Sequence, residues 1–186
     1  RHRAAGRLEP QREPRHRERH RVACVDERCV PVVAATFNLP EGVVFSAARG
    51  AGARRDGVRL RCPTARLDAS AIVGCQWIRG RVDMRVLRGL LATGCRIRNL
   101  GCTVAQLCAV AGGVLQGNVQ EQGKIWDLAA PGLVAQEAGA SVLTWRGASL
   151  FPFPDLSSDR HYASIVCPRG LAPAFVRAMN GTRARR

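Results

Sequence analysis

Residues 103–115 (TVAQLCAVAGGVL) constrain this chain more than any other stretch, because at helical length they are apolar on nearly every side. A helix without a polar stripe has no face to offer to water, so it must be enclosed between layers of other elements. The flanking sequence provides such layers. Residues 30–37 (VPVVAATF) are β-branched and apolar, bounded by Asn38 and Pro40, and read as a buried strand. Residues 43–47 read as a second strand, joined to the first through the turn residues 38–42 as a hairpin. The small residues 50–53 and then Asp56-Gly57 predict a tight turn into a short edge strand near 58–60. Residues 71–76 (AIVGCQ) predict a central strand.

Further along, strands and helices alternate. Val82, Val86, Leu87, Leu90 and Leu91 recur at helical spacing, and Gly94 stands just past the end, which predicts a helix over 82–93. A short strand over 95–100, the apolar helix, a third helix over 127–138, strands over 141–145 and 163–167 and a last helix over 171–179 follow. The alternation predicts an α/β layer sandwich whose sheet is mostly parallel in the second half of the chain. No internal repeat is present.

The chain has 186 residues, 46% of them apolar, enough for one compact core. No apolar run reaches the 18 residues of a membrane span, and no apolar block follows the basic N-terminus as in a signal peptide. A cytoplasmic protein is expected. Twenty-nine basic residues oppose 14 acidic ones, a net charge of +15 that by itself suggests a polyanion as partner. Lys124 is the one lysine, however, and the arginines are not interleaved with aromatics, which are 5% of the chain. Nucleic acid is therefore not the expected partner. Residues 1–21, rich in arginine and without periodic pattern, and residues 181–186 read as tails around one domain over 22–180. The eight cysteines lack the paired C-x-x-C spacing of a zinc site and sit mostly among apolar neighbours, as small buried hydrophobes do.

Two places could carry chemistry. Asp127 stands behind Trp126 and ahead of Leu128, Ala129 and Ala130 at a helix start. It reads either as an N-cap, accepting a backbone N–H two or three residues on, or as one ligand of a hard cation that needs further oxygens. The turn Gly101, Cys102 and Thr103 reads either as an ordinary strand-to-helix connection or as an anion seat, because a helix starting there directs unpaired N–H groups and a positive dipole end outward.

Trp126, Asp127, Leu128, Ala129 and Ala130, continued by Glu137, Ala138, Gly139 and Ala140, closely resemble the C-terminal signature of the inositol monophosphatase family. Residues 98–105 (RNLGCTVA), then Val110, Ala111, Gly112 and Gly113, resemble the same family's glycine turn and buried helix, at matching spacing. Residues 32–45 and 47–53 (AARGAGA) resemble its hairpin and its A-x-x-G-x-G-A turn. The resemblance implies a layered αβαβα sandwich and a Mg2+-dependent phosphomonoesterase for inositol monophosphate or a related small sugar or polyol phosphate. It implies Asp127 as a metal ligand, Gly101, Cys102, Thr103 and Gln120 as substrate contacts, and a possible homodimer. Gln120 stands where some members have a glutamate, and Gln116 where many have an aspartate. The family's other acidic motifs, of Gly-Asp-Glu-Glu and Asp-Pro-x-Asp-Gly type, have no counterpart in this sequence. The expectation is accordingly a sandwich incomplete at its N-terminal side and a chain inactive alone, with a non-catalytic binding or subunit role as the alternative and polyanion binding through the arginine-rich ends as a lesser one.

Overall fold

The computed structural model describes residues 21–38, 41–76 and 83–180. Of the expected tails at residues 1–21 and 181–186, residues 1–20 and 181–186 lie outside these residues, while Arg21 already belongs to the first strand. The first sheet is an antiparallel meander of β1 (Arg21–Val25), β2 (Pro31–Asn38), β3 (Val43–Ala48), β4 (Gly52–Arg55) and β5 (Val58–Leu60), in that spatial order. Its second and third strands are the expected hairpin, with Thr36 opposite Phe45 and Asn38 opposite Val43. β1 and β4 were not foreseen, for a physical reason. β1 begins inside the arginine-rich stretch, and β4 is four residues, two of them arginine, so neither carries an apolar alternation of its own.

The second sheet has the order β7-β6-β8-β10-β9, formed by β6 (Ile72–Gln76), β7 (Arg96–Arg98), β8 (Gly117–Gly123), β9 (Ala140–Thr144) and β10 (Tyr162–Pro168). Here the expected mostly parallel sheet is corrected. β6 pairs in parallel with β7 and β8, but β10 pairs antiparallel with both β8 and β9, so the sheet is mixed. β8 itself (GNVQEQG) was missed, since its glycines and amides read as loop. All its residues from Gly117 to Gln120 are nevertheless buried.

The helices are α1 (Met84–Leu91), α2 (Thr103–Ala111), α3 (Ile125–Glu137) and α4 (Ala172–Asn180). α2 ends earlier than its apolar run because Gly112 caps it and Gly113 takes φ of 78° with its α-carbon against Pro63, a position with no room for a side chain. α2 and α3 pack on each other between the two sheets, and α1 and α4 cover the outer face of the second sheet. That placement explains the uniform apolarity of α2 and α3: each has a layer on both sides. Leu107, Leu128, Leu133 and Val134 fill the inner core, while Val73, Leu90, Val119, Ile165 and Phe175 fill the outer one. Small residues set the spacing. Gly117 has no room for a β-carbon because the Phe175 ring lies over it, and Gly89 lets α1 close on the backbone of Ala178. The described layers are therefore sheet, helices, sheet, helices. On the outward face of the first sheet Val33 and Val44 remain 50% and 40% exposed.

Candidate functional site

The chain enters α2 through a turn whose shape is dictated by one glycine. Gly101 adopts φ of 67°, the left-handed region, and its N–H donates to Asn99 Oδ1 at 2.9 Å. Cys102 then takes the N-cap position with extended backbone and makes no side-chain cap bond. The first turn of α2 holds no acidic residue. Its N-terminal N–H groups thus lack the usual hydroxyl or carboxylate acceptor that serine, threonine or aspartate would offer.

Thr103, the first residue of α2, is 7% exposed and donates through Oγ1 to Gln120 Oε1 at 2.8 Å. This bond joins two of the residues singled out in the sequence across 17 positions. It belongs to a wider buried set. Gln106 Nε2 donates to Gln76 Oε1 at 2.9 Å, and Asn118 Nδ2 donates to Gln106 Oε1 at 3.2 Å. Register explains the set: Gln76 lies opposite Gln120 and Gly74 opposite Asn118, so one face of the second sheet turns a row of amides toward α2. Gly74 leaves the space that the Gln106 side chain occupies. Gln120 is 1% exposed, and its Nε2 finds no acceptor, packed against the α-carbon of Gly123. Gln106, Asn118 and Gln76 were missed in the sequence; the polar periodicity of β8 was the available signal.

Gln116 is drawn elsewhere. It accepts from Ile72 N at 2.8 Å and donates to Gly113 O at 3.2 Å, which ties the start of β8 to β6. The side chain closes on backbone instead of facing a ligand.

Asp127 is not the N-cap of α3. Lys124 holds that position, and Asp127 is the third residue of the helix, half-buried, with its N–H donating to Lys124 O at 2.9 Å. A carboxylate in the first turn suits the helix dipole. Pro131 lies within α3 and has no N–H to give to the carbonyl four residues back. Lys124 itself was not foreseen. Its Nζ donates to the carbonyls of Ser158 and Asp159 at 2.8 and 3.2 Å and lies 5.7 Å from the centre of the Trp126 ring, which is 44% exposed. The start of α3 is thereby fastened to the segment leading into β10.

Mg2+, the ion the resemblance implies, prefers six oxygen ligands and usually one or two carboxylates with a substrate phosphate. The residues present do not fit a metal pair. Among the described residues no group of three or more His, Cys, Asp or Glu side chains is placed to hold an ion. Several described carboxylates are committed to local structure: Asp26 to the β1–β2 turn and Arg49, Asp56 to Val44 N, Asp83 to the start of α1, and Glu137 to Gly50 N and Gly52 N. Glu121 follows Gln120 on β8, so its side chain leaves the opposite face, where its charge acts on Cys75. That thiol is pushed up to about 11, mainly by burial.

Comparison with known proteins agrees with this arrangement. The profile described as the inositol monophosphatase family matches residues 22–180. An inositol-1-monophosphatase of Mycobacterium leprae is 33% identical over 121 residues, which are 61% of this chain and 42% of that protein. The Nus factor SuhB of Pasteurella multocida is 30% identical over 120 residues, 62% of this chain and 45% of that protein. Among solved structures, an IMPase of Thermotoga maritima superposes with a TM-score of 0.74 at 18% identity, covering 89% of this chain and 61% of that one. At that identity the likeness concerns the fold. The chain spans less than half the length of the two curated relatives.

Proposed function

We propose, from the premise that this chain belongs to the inositol monophosphatase family, that it forms the substrate-facing part of a phosphoric monoester hydrolase for inositol monophosphate or a related small sugar or polyol phosphate. The observation that carries the reading is the bond between Thr103 and Gln120 at the start of α2. It brings the glycine turn and the β8 amide together where a helix N-terminus favours an anion. Gly101, Cys102, Thr103 and Gln120 are the proposed substrate contacts, and Asp127 is the one proposed ligand for the family's Mg2+. A homodimer and a cytoplasmic setting come with the same resemblance as parts of the proposal.

A second, non-catalytic reading has its own support. The donor set for a metal pair is missing among the described residues, and one relative is named as a Nus factor. Calorimetric titration with inositol monophosphate, together with an assay of phosphate release in Mg2+, tests both. Binding that weakens in Thr103→Val is expected. Release that is lost in Asp127→Asn marks the hydrolase, and binding without release marks the non-catalytic domain. No binding of any small phosphate monoester refutes both readings.

A further inference from the structure

The outer side of the second sheet, away from α2, holds a cavity of about 310 Å3 where the start of α1, the end of α4 and the turn after β9 meet. That volume is at the lower end of the range in which proteins bind small molecules. Much of its wall is apolar. Val86 and Met179 are each 7% exposed, Trp145 packs on the outer core, and Ala163 stands where the register of β10 against β8 shifts. Such an irregularity re-aims side chains and is frequent beside active sites.

The polar part of the wall is unevenly balanced. Asp83 Oδ1 accepts from Arg85 N at 2.8 Å and Arg85 Nε at 3.2 Å, and Asp83 Oδ2 accepts from Arg85 Nη2 at 3.4 Å. Those two charges answer each other. Asn180 donates through Nδ2 to the carbonyls of Val176 and Trp145 at 2.9 and 3.4 Å, which leaves its Oδ1 to accept. Thr144 adds a hydroxyl. Arg146 is left over. It sits on a turn in which Gly147 N donates to Thr144 O at 2.9 Å and Thr144 N to Ala148 O at 2.8 Å, with Gly147 at φ of 87°. Arg146 is exposed and makes no ion pair or hydrogen bond with the described residues. Among those residues the cavity thus has one positive charge in excess, one amide acceptor and an apolar wall.

We infer that this cavity binds a small carboxylic acid with an apolar or aromatic body. Arg146 takes the carboxylate, Trp145, Val86 and Met179 take the body, and Asn180 Oδ1 accepts from a hydroxyl or N–H on it. A guanidinium matches a carboxylate in charge and in shape, through two parallel N–H donors. A phosphate dianion would keep one charge uncompensated here. The site therefore differs in ligand class from the corner at α2, from which the second sheet separates it.

The test is isothermal titration of the full chain with 3-phenylpropionate, 3-(4-hydroxyphenyl)propionate and indole-3-propionate, each beside its uncharged amide. The expected result is saturable binding of at least one acid, about tenfold or more tighter than its amide, since only the acid makes a charge-assisted bond. Arg146→Ala, a change at an exposed turn residue, should bring that acid down to the affinity of the amide. Ala163→Leu, checked by circular dichroism for a retained fold, should fill the cavity and abolish binding of both. If that variant fails to fold, the acid–amide pairs and Arg146→Ala still decide. Equal affinity of acid and amide overturns the inference, as does binding unchanged in Arg146→Ala or in folded Ala163→Leu. No saturable binding of any of the acids at millimolar concentration overturns it too. Displacement of the acid by inositol monophosphate overturns it while leaving the phosphate seat at α2 standing.

Discussion

Glu137 ends α3 and accepts two backbone N–H groups at once, from Gly50 and Gly52, both at 2.9 Å. Both glycines have positive φ, 79° and 82°, so the β3–β4 turn presents its N–H groups to a single carboxylate. Replacing Glu137 by Ala removes both acceptors. A hydrogen bond to a charged group contributes about 1.5–3 kcal/mol when sheltered, and water discounts a half-buried one to about 1 kcal/mol. Glu137→Ala should therefore cost about 2 kcal/mol, and Glu137→Gln, which keeps one oxygen acceptor but no charge, about half of that. In urea unfolding the midpoint should fall with an unchanged slope, since the exposed surface is the same. For a domain of this size the corresponding drop in Tm is about 4–8 °C for the alanine variant. An alanine variant that loses less than about 0.5 kcal/mol, or a glutamine variant as damaged as alanine, would refute the claim that this carboxylate holds the turn.

Other consequences follow from the same structure. Gly117→Ala places a methyl group into the Phe175 ring, an overpacking cost of about 1–3 kcal/mol that chemical denaturation will register. Adding Phe175→Leu should return part of that loss by emptying the space. Cys102→Ser supplies the missing cap of α2 and should raise stability by about 0.5–1 kcal/mol in the same assay. Burial holds the Cys167 thiol up to about 12 and Cys75 up to about 11, against 9.0 for an unburied thiol. The unfolded chain therefore releases these protons first, so stability should fall progressively as pH rises from about 9 toward 11–12, which thermal melts across that range will show. Val33→Ser combined with Val44→Ser lowers the apolarity of the outward face of the first sheet and should shift sedimentation toward the monomer.

Much of the fold could be read from local pattern. The hairpin of β2 and β3, the strand β6, the strands β9 and β10 and the helices all follow from apolar spacing within a dozen residues. Glycine at 94 and 101 marked ends and turns because only a residue without a side chain readily takes those angles. Where the reading failed, the deciding partner lay far along the chain. β8 looks like a polar loop until α2 lies over it and gives its amides hydrogen bonds. Asp127 looks like a cap until the helix is seen to begin two residues earlier, at Ile125. Gln116 resembles a ligand contact until its amide is seen to close on backbone at both ends, accepting from Ile72 of β6 and donating to Gly113 beyond α2.

By itself, the sequence determined that an apolar helix must lie between layers, that a glycine turn opens it, and that the chain bears the inositol monophosphatase signature. Those properties depend on residue type and short-range spacing, which a linear string contains in full. Tertiary structure alone decided where each polar group finds its partner: Glu137 meets Gly50 and Gly52 across 87 and 85 residues, and Thr103 meets Gln120 across 17. A hydrogen bond depends on position and direction in space, so a buried carboxylate or amide becomes a clamp, a seat for an anion or a metal ligand only when folding has set what faces it.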